Sequence, residues 1–218
     1  MTTFRAAALL CIGALLAVWL AAAPPAQGQE AVPASLDPAE RQTLAAVEGY
    51  LNGIDTLRAD FRQVGPEGDR AEGVLYLRRP GRLRVEYAPP VPVLIVGDGL
   101  LLHYHDMELG QVNDWFIFDT PLGSLTKEEM RFGEDLVVTA FAEIDGRIAI
   151  TVVRPDDAGA GSLTLVLDAD PFLLRGWQVT DAQGFVTTVA LHDLETNIVL
   201  RPTLFVFENP RKTPRVER

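Results

Sequence analysis

Cysteine is almost missing from this chain: Cys11 is the only one in 218 residues. It follows Leu10 inside an apolar run, away from any small-residue cleavage point. Neither a disulfide framework nor a lipid-bearing amino-terminal cysteine is therefore expected. Basic residues are scarce too, 19 Lys and Arg against 30 Asp and Glu, for a formal charge of −11. No Lys/Arg-rich run stands out in the middle of the chain. Without a cationic footprint to displace counterions from phosphates, a nucleic-acid partner is close to excluded. Histidines number 3. His103 and His105 share a strand face beside Asp106, an arrangement able in principle to ligate zinc, but His192 is the sole other imidazole. Two exposed histidines on a polar face are the better reading. Catalytic signatures are lacking as well. Gly123-Ser124-Leu125 is no nucleophile elbow, Gly159-Ala160-Gly161 lacks the rest of a dinucleotide or phosphate loop, and neither HExxH nor a P-loop occurs. No catalytic residue, cofactor or metal site is assigned, and the protein is read as a non-enzyme.

What is present begins with an address. Residues 6–23 form an unbroken apolar run after Arg5, and Pro24-Pro25-Ala26-Gln27-Gly28-Gln29 follows. A positive start, an apolar stretch and a small-residue exit describe a secretory signal peptide over residues 1–28, with cleavage after Gly28. The rival is an uncleaved anchor, since the run is just long enough to span a bilayer. Alanine richness and the proline pair favour cleavage. Residues 29–210 are read as one domain, and the basic stretch 211–218 as a flexible tail.

Asp37-Pro38-Ala39-Glu40 combines an N-cap, a first-turn proline and a capping-box glutamate. Leu44, Val47, Leu51 and Ile54 then recur at helical spacing, which predicts one amphipathic helix over 38–54. From Leu57 the apolar period drops to two. Strands are expected near 57–64, 70–79, 82–88, 92–97, 100–106 and 109–118, then near 136–143, 147–154, 162–168, 173–180, 185–194 and 203–207. Pro80-Gly81, Gly97-Asp98-Gly99, Asp145-Gly146 and Gln183-Gly184 separate them as turns. Strands at this spacing without helices between them make an antiparallel meander, closed into a barrel or nearly so. The interruption, 119–133, reads as a short helical segment across the sheet. Thr120 caps it, Pro121 starts it, and Leu122, Leu125 and Met130 give it an apolar face; Gly123 suggests loose attachment.

Alternation puts Leu75, Leu77 and Arg79, together with Leu83, Val85 and Tyr87 of the next strand, on one face of a hairpin. Arginine among leucines is costly unless it finds acceptors. Arg79 either reaches water past the strand end, or donates to a backbone carbonyl or ligand at a cavity mouth. Phe61, Leu75, Leu77, Leu83, Val85, Tyr87, Ile95, Phe116, Phe118 and Trp177 are the candidate lining of a ligand cavity. The alternative is that they make a dry core sealed by the 38–54 helix.

An amino-terminal helix, Leu57-x-x-x-Phe61-x-Gln63, Gly73-x-Leu75-Tyr76-Leu77-x-Arg79-Pro80-Gly81-x-Leu83-x-Val85-x-Tyr87, Gly97-Asp98-Gly99, Tyr104, Gln111 and Thr120-Pro121-Leu122 occur in that order. This set resembles the periplasmic outer-membrane lipoprotein carrier family of LolA-like proteins. The resemblance covers about 40–207 and is specific over 57–125. It implies a mainly β fold: a half-open antiparallel β-barrel of about 11 strands, with a helical lid over an apolar cavity for acyl chains. It also implies a lid-holding arginine, matched by Arg79 with Arg78 as a neighbouring candidate, and a partner-docking position, matched by Leu83. Val85 stands where some members carry tryptophan. Implied too are a periplasmic location, acylated lipoproteins as cargo, and an outer-membrane acceptor. Loading energy would come from an inner-membrane ATP-driven lipoprotein-releasing complex, since the chain carries no nucleotide-binding motif. The carrier is expected to act as a monomer. The competing reading is a lipid- or lipoprotein-binding sensor or accessory protein on the same scaffold.

Overall fold

The computed structural model describes residues 31–120, 123 and 125–210. The expected leader 1–28, the basic tail 211–218 and the lid residues Pro121 and Leu122 lie outside the described residues. Helix α1 spans Pro38–Asn52. The Asp37 carboxylate accepts the Glu40 N–H at 2.8 Å, and the Glu40 carboxylate accepts the Asp37 N–H at 2.8 Å. That capping box satisfies donors which the first helical turn leaves without partners. Val47 and Leu51 are buried along the apolar stripe, and Ile54 is buried just past its end. The last turn of α1 holds no basic residue, so its terminal carbonyls must find donors elsewhere in the fold. No helix among the described residues is long and apolar enough to cross a membrane.

Eleven strands follow among the described residues. They are β1 Thr56–Val64, β2 Arg70–Arg78, β3 Arg82–Tyr87, β4 Val93–Asp98, β5 Leu101–Asp106 and β6 Gln111–Phe116, then β7 Val137–Ile144, β8 Arg147–Val153, β9 Gly161–Ala169, β10 Phe172–Asp181 and β11 Val186–Thr196. They form one antiparallel sheet in the order β6-β5-β4-β3-β2-β1-β11-β10-β9-β8-β7. The first and last strands meet in the middle, and β6 and β7 are the edges. Among the described residues no ladder joins those edges, so the sheet stays open. Register shifts at Arg58/Asp60 in β1, Val138/Ala140 in β7 and Leu174/Gly176 in β10 add local bend. Gly73 sits between Phe61 and Tyr87, where a Cβ would lie 2.0 Å from the Glu86 carbonyl. Its lack of a side chain lets the two rings meet edge-on at 5.2 Å.

One face of the sheet carries the main core, and its two halves differ. Ile148, Ile150, Val152, Leu163, Leu165 and Leu167, on β8 and β9, are wholly buried. Val85, Tyr87, Ile95 and Leu102, on β3 to β5, are only half-buried. Helix α1 is tied to the first half: Tyr50 Oη accepts the Leu174 N–H at 3.0 Å, and the Tyr50 ring lies 6.2 Å from that of Phe172.

The carboxyl-terminal part departs from expectation. Residues 203–207 are not a strand: Pro202–Phe205 is a 3-10 helix. Pro202 has no N–H to give a ladder and suits a first helical turn. This piece packs on the opposite face of the sheet, against β3 and β4. Arg84 donates to the Leu204 carbonyl at 3.1 Å, and Phe205 and Val96 are both buried there. Phe207 stacks on His103 at 4.5 Å. The two histidines are thus roofed by an aromatic ring, and His103 contacts Asp114 at 2.7 Å and Asp98 at 3.3 Å. Phe205→Ala should lower unfolding free energy by about 3 kcal/mol in urea denaturation. A change under about 0.5 kcal/mol would mean this second layer adds little.

Candidate functional site

A sheet whose chain leaves at one edge and resumes at the other needs a connection across its mouth. Residues 117–136 make that crossing, and Phe132 and Leu136 form an isolated bridge near its end. It opens with the 3-10 helix Ile117–Asp119, with Ile117 fully buried. The Thr120 hydroxyl accepts the Gly123 N–H at 2.9 Å, and the Gly123 carbonyl accepts the Thr126 N–H at 2.8 Å. Gly123 marks close approach rather than looseness, since a Cβ there would sit 1.7 Å from the Ile117 carbonyl. Thr126 and Met130 are fully buried, so the described part of this segment, the expected lid, lies packed against the core.

Several bonds hold it down, nearly all of them to main-chain atoms. The Gly81 N–H donates to the Thr126 carbonyl at 2.9 Å. Asn52, at the end of α1, donates to the Met130 carbonyl at 2.8 Å and accepts the Met130 N–H at 3.0 Å, as a neighbouring strand would. Glu48 accepts the Phe132 N–H at 2.6 Å. The Asp135 carboxyl takes the Lys127 ammonium and the Arg131 N–H. Burial pushes Asp135 up, but those two hydrogen bonds outweigh it and hold it below the usual carboxylate range.

Arg79 stands between the lid and the helix. Its Nε donates to the Ile54 carbonyl at 2.9 Å, one terminal nitrogen donates to the Leu51 carbonyl at 3.0 Å, and the other donates to the Lys127 carbonyl of the lid. It supplies the cation that the last turn of α1 lacks, where the helix dipole favours one. Burial pushes its guanidinium below the ordinary value, with Asp55 opposing; it stays charged nonetheless. Among the described residues no carboxylate lies within ion-pair distance of it. Arg78, next along β2, points to the opposite face by alternation.

Beneath lies an apolar hollow of about 50 Å3, lined by Leu51, Ile54, Leu57, Leu75, Leu77, Leu83, Leu125, Leu165, Leu174 and Trp177, with Arg79 and Thr126 at the lid. A second hollow of about 150 Å3 shares Leu75 and Trp177 with it and continues along Phe61, Gln63, Val85, Tyr87, Ile95, Val179, Thr187 and Val189. Tyr87 donates its hydroxyl proton to Gln63 at 2.8 Å. Burial chiefly, with Tyr104 adding, raises its hydroxyl above the ordinary value, against the Gln63 bond. Eight of the ten lining residues expected from the sequence meet in these two hollows. Phe118 packs at the edge of the core, its ring 3.1 Å from where a Gly81 Cβ would sit. Phe116 does not line the cavity: it is 59% exposed on edge strand β6, and buried Ile117 fills the inward position. The lining that sequence reading missed comes from Leu51 and Ile54 in and after α1, from Leu57 and Gln63 on β1, and from β9 to β11, whose alternating apolar residues carried the same signal.

The molecule is thus an open antiparallel sheet with apolar hollows on one face and the 117–136 crossing fastened over them. The family model described as "Outer membrane lipoprotein carrier protein LolA" matches residues 52–208, and the chain belongs to that family. The outer-membrane lipoprotein carrier protein of Methylococcus capsulatus is 29% identical over 182 residues, 79% of this chain and 86% of that one. The one from Chromobacterium violaceum is 30% identical over 181 residues, 80% and 87%. A LolA superfamily protein of known structure from Nitrosomonas europaea aligns with a TM-score of 0.43 at 11% identity, over 75% of this chain and 97% of its own.

Asn52→Ala removes both bonds to Met130. The Met130 amide should then exchange with solvent about tenfold to a hundredfold faster, as loss of one or two part-buried hydrogen bonds implies. The Phe132 amide, held by Glu48 in the same segment, should accelerate with it while amides in β9 do not; acceleration of Met130 alone would show that the segment is not fixed as one block.

Proposed function

We propose that this protein takes acylated lipoproteins at the inner membrane, shields their acyl chains across the periplasm and delivers them to the outer membrane. A triacylated cargo carries roughly 45 methylenes, each worth about 0.8 kcal/mol on burial, on the order of 35 kcal/mol in all. Unaided passage through water is therefore far too slow. A shuttle must cover those chains, and must also let them go.

The observation that carries this reading is the bond between Arg79 and the lid over an apolar hollow. With the lid closed, the hollows of about 50 and 150 Å3 fall short of the roughly 300–1,000 Å3 that ligand pockets span. Cargo therefore enters only as the lid leaves. Arg79 holds neutral carbonyls rather than a carboxylate, so its bonds are exchangeable. Acyl chains displace Leu125 and its neighbours, and the latch competes to regain its carbonyl, which favours handing the cargo on. On this reading an inner-membrane ATP-driven complex supplies the energy for loading, an acceptor in the outer membrane takes the cargo, and the carrier works as a monomer.

Arg79→Leu should accept lipoprotein from the inner membrane but fail to pass it on, leaving a variant that co-purifies with acylated cargo in native mass spectrometry. Normal delivery by Arg79→Leu would refute the latch. Wild-type protein recovered from the periplasm with no acylated species in any preparation would count against carriage itself.

A further inference from the structure

We infer that Arg154 is a second latch, which closes the seam of the open sheet by gripping the start of the lid; the inference rests on the reading of 117–136 as a lid that moves. Arg154 directly follows β8, the neighbour of edge strand β7. Its guanidinium donates to the Asp119 carbonyl at 2.5 Å, at the end of the 3-10 helix that directly follows the other edge strand, β6. One side chain thus links the strand next to one edge with the end of the other edge strand, between which no ladder runs among the described residues. Its second terminal nitrogen pairs with Asp156 at 3.0 Å, which orients the fork. The Arg154 side chain is 19% exposed, while both groups it grips, Asp119 and Asp156, are exposed, so the bond sits at the rim of the sheet.

The two arginines reach the lid from opposite halves of the sheet. Arg154 holds residue 119 from the β8 side, and Arg79 holds residue 127 from the β2–β3 turn. Between those points lie Leu125 and Thr126, which close the hollow. Both latches use a permanent cation on a neutral carbonyl, which is stronger than a neutral pair yet free of the desolvation trap of a buried ion pair. Opening the lid breaks both bonds. Removing either one therefore multiplies the open population, and removing both multiplies the two factors. Arg154 is accordingly a positioning residue that sets how often the cavity is accessible.

The test measures lid opening and ligand uptake in the same variants of the exported protein. Hydrogen exchange of lid amides reports the opening equilibrium. Binding of a synthetic tripalmitoylated cysteinyl peptide reports the accessible cavity, with an apparent affinity that scales with the open fraction. Arg154→Ala should speed lid exchange about tenfold and tighten peptide binding by the same factor, as expected for loss of one charge-assisted hydrogen bond. Arg154→Lys keeps a cationic donor and should restore most of both. Arg79→Ala with Arg154→Ala should give the product of the single factors, while amides in β9 stay at the wild-type rate. Unchanged lid exchange in Arg154→Ala would overturn the latch, as would equal acceleration in β9, which would mean general destabilisation. If the exchange pattern holds but wild-type protein does not bind the peptide, the latch stands and the carrier reading falls.

Discussion

The rest of this structure depends on one topological constraint. The chain builds six strands outward from the centre of the sheet, then must begin its second half at the far edge. The connection between those edges has to pass over one face of the sheet, and it passes over the face that carries the apolar hollow. It lies across an apolar face and must satisfy its own backbone groups there, away from water. Side chains that donate to carbonyls, or accept from N–H groups, meet that need. Arg79, Arg154, Asn52 and Glu48 each do so. A sheet closed into a full barrel would have no such segment and no such gate.

The chemistry of those fastenings fits a gate better than a permanent seal. A buried arginine paired with a carboxylate would resist opening, because separation would strand two charges. Arg79 instead touches three carbonyl oxygens: Leu51 in the last turn of α1, Ile54 just past it, and Lys127 on the lid. On the carrier reading, the Leu51 and Ile54 carbonyls keep the guanidinium aimed at the mouth when the lid leaves. The asymmetric core serves the same end. The fully buried residues of β8 and β9 give a rigid wall, while the half-buried Val85, Tyr87 and Ile95 offer apolar surface whose covering is incomplete.

Much of this was legible in residue spacing, and the exceptions have physical causes. Asp37, Pro38 and Glu40 announced α1 because caps are local. Alternation announced the strands and set Leu75, Leu77 and Arg79 on one face, because side-chain period is a property of the strand alone. What failed needed the third dimension. The 203–207 run alternates like a strand, but Pro202 and a position on the outer face turned it into a 3-10 helix over Val96. Phe116 shares the apolar character of its neighbours, yet a one-residue difference in phase left it outside and put Ile117 within. Arg154 and Asn52 carried no signal at all, since their partners lie 35 and 78 residues away in the chain.

The central claim is that an acyl occupant displaces a closed flap. Because Cys11 is the chain's only cysteine and lies in the expected leader, spin labels can be attached at cysteines placed at exposed Glu128 in the lid and exposed Gln178 on β10. Electron–electron resonance then gives the distance between them. The account predicts one narrow distance in the empty protein, and a longer, broader distribution once a tripalmitoylated cysteinyl peptide is bound. A distance that stays the same with the peptide fully bound would contradict it.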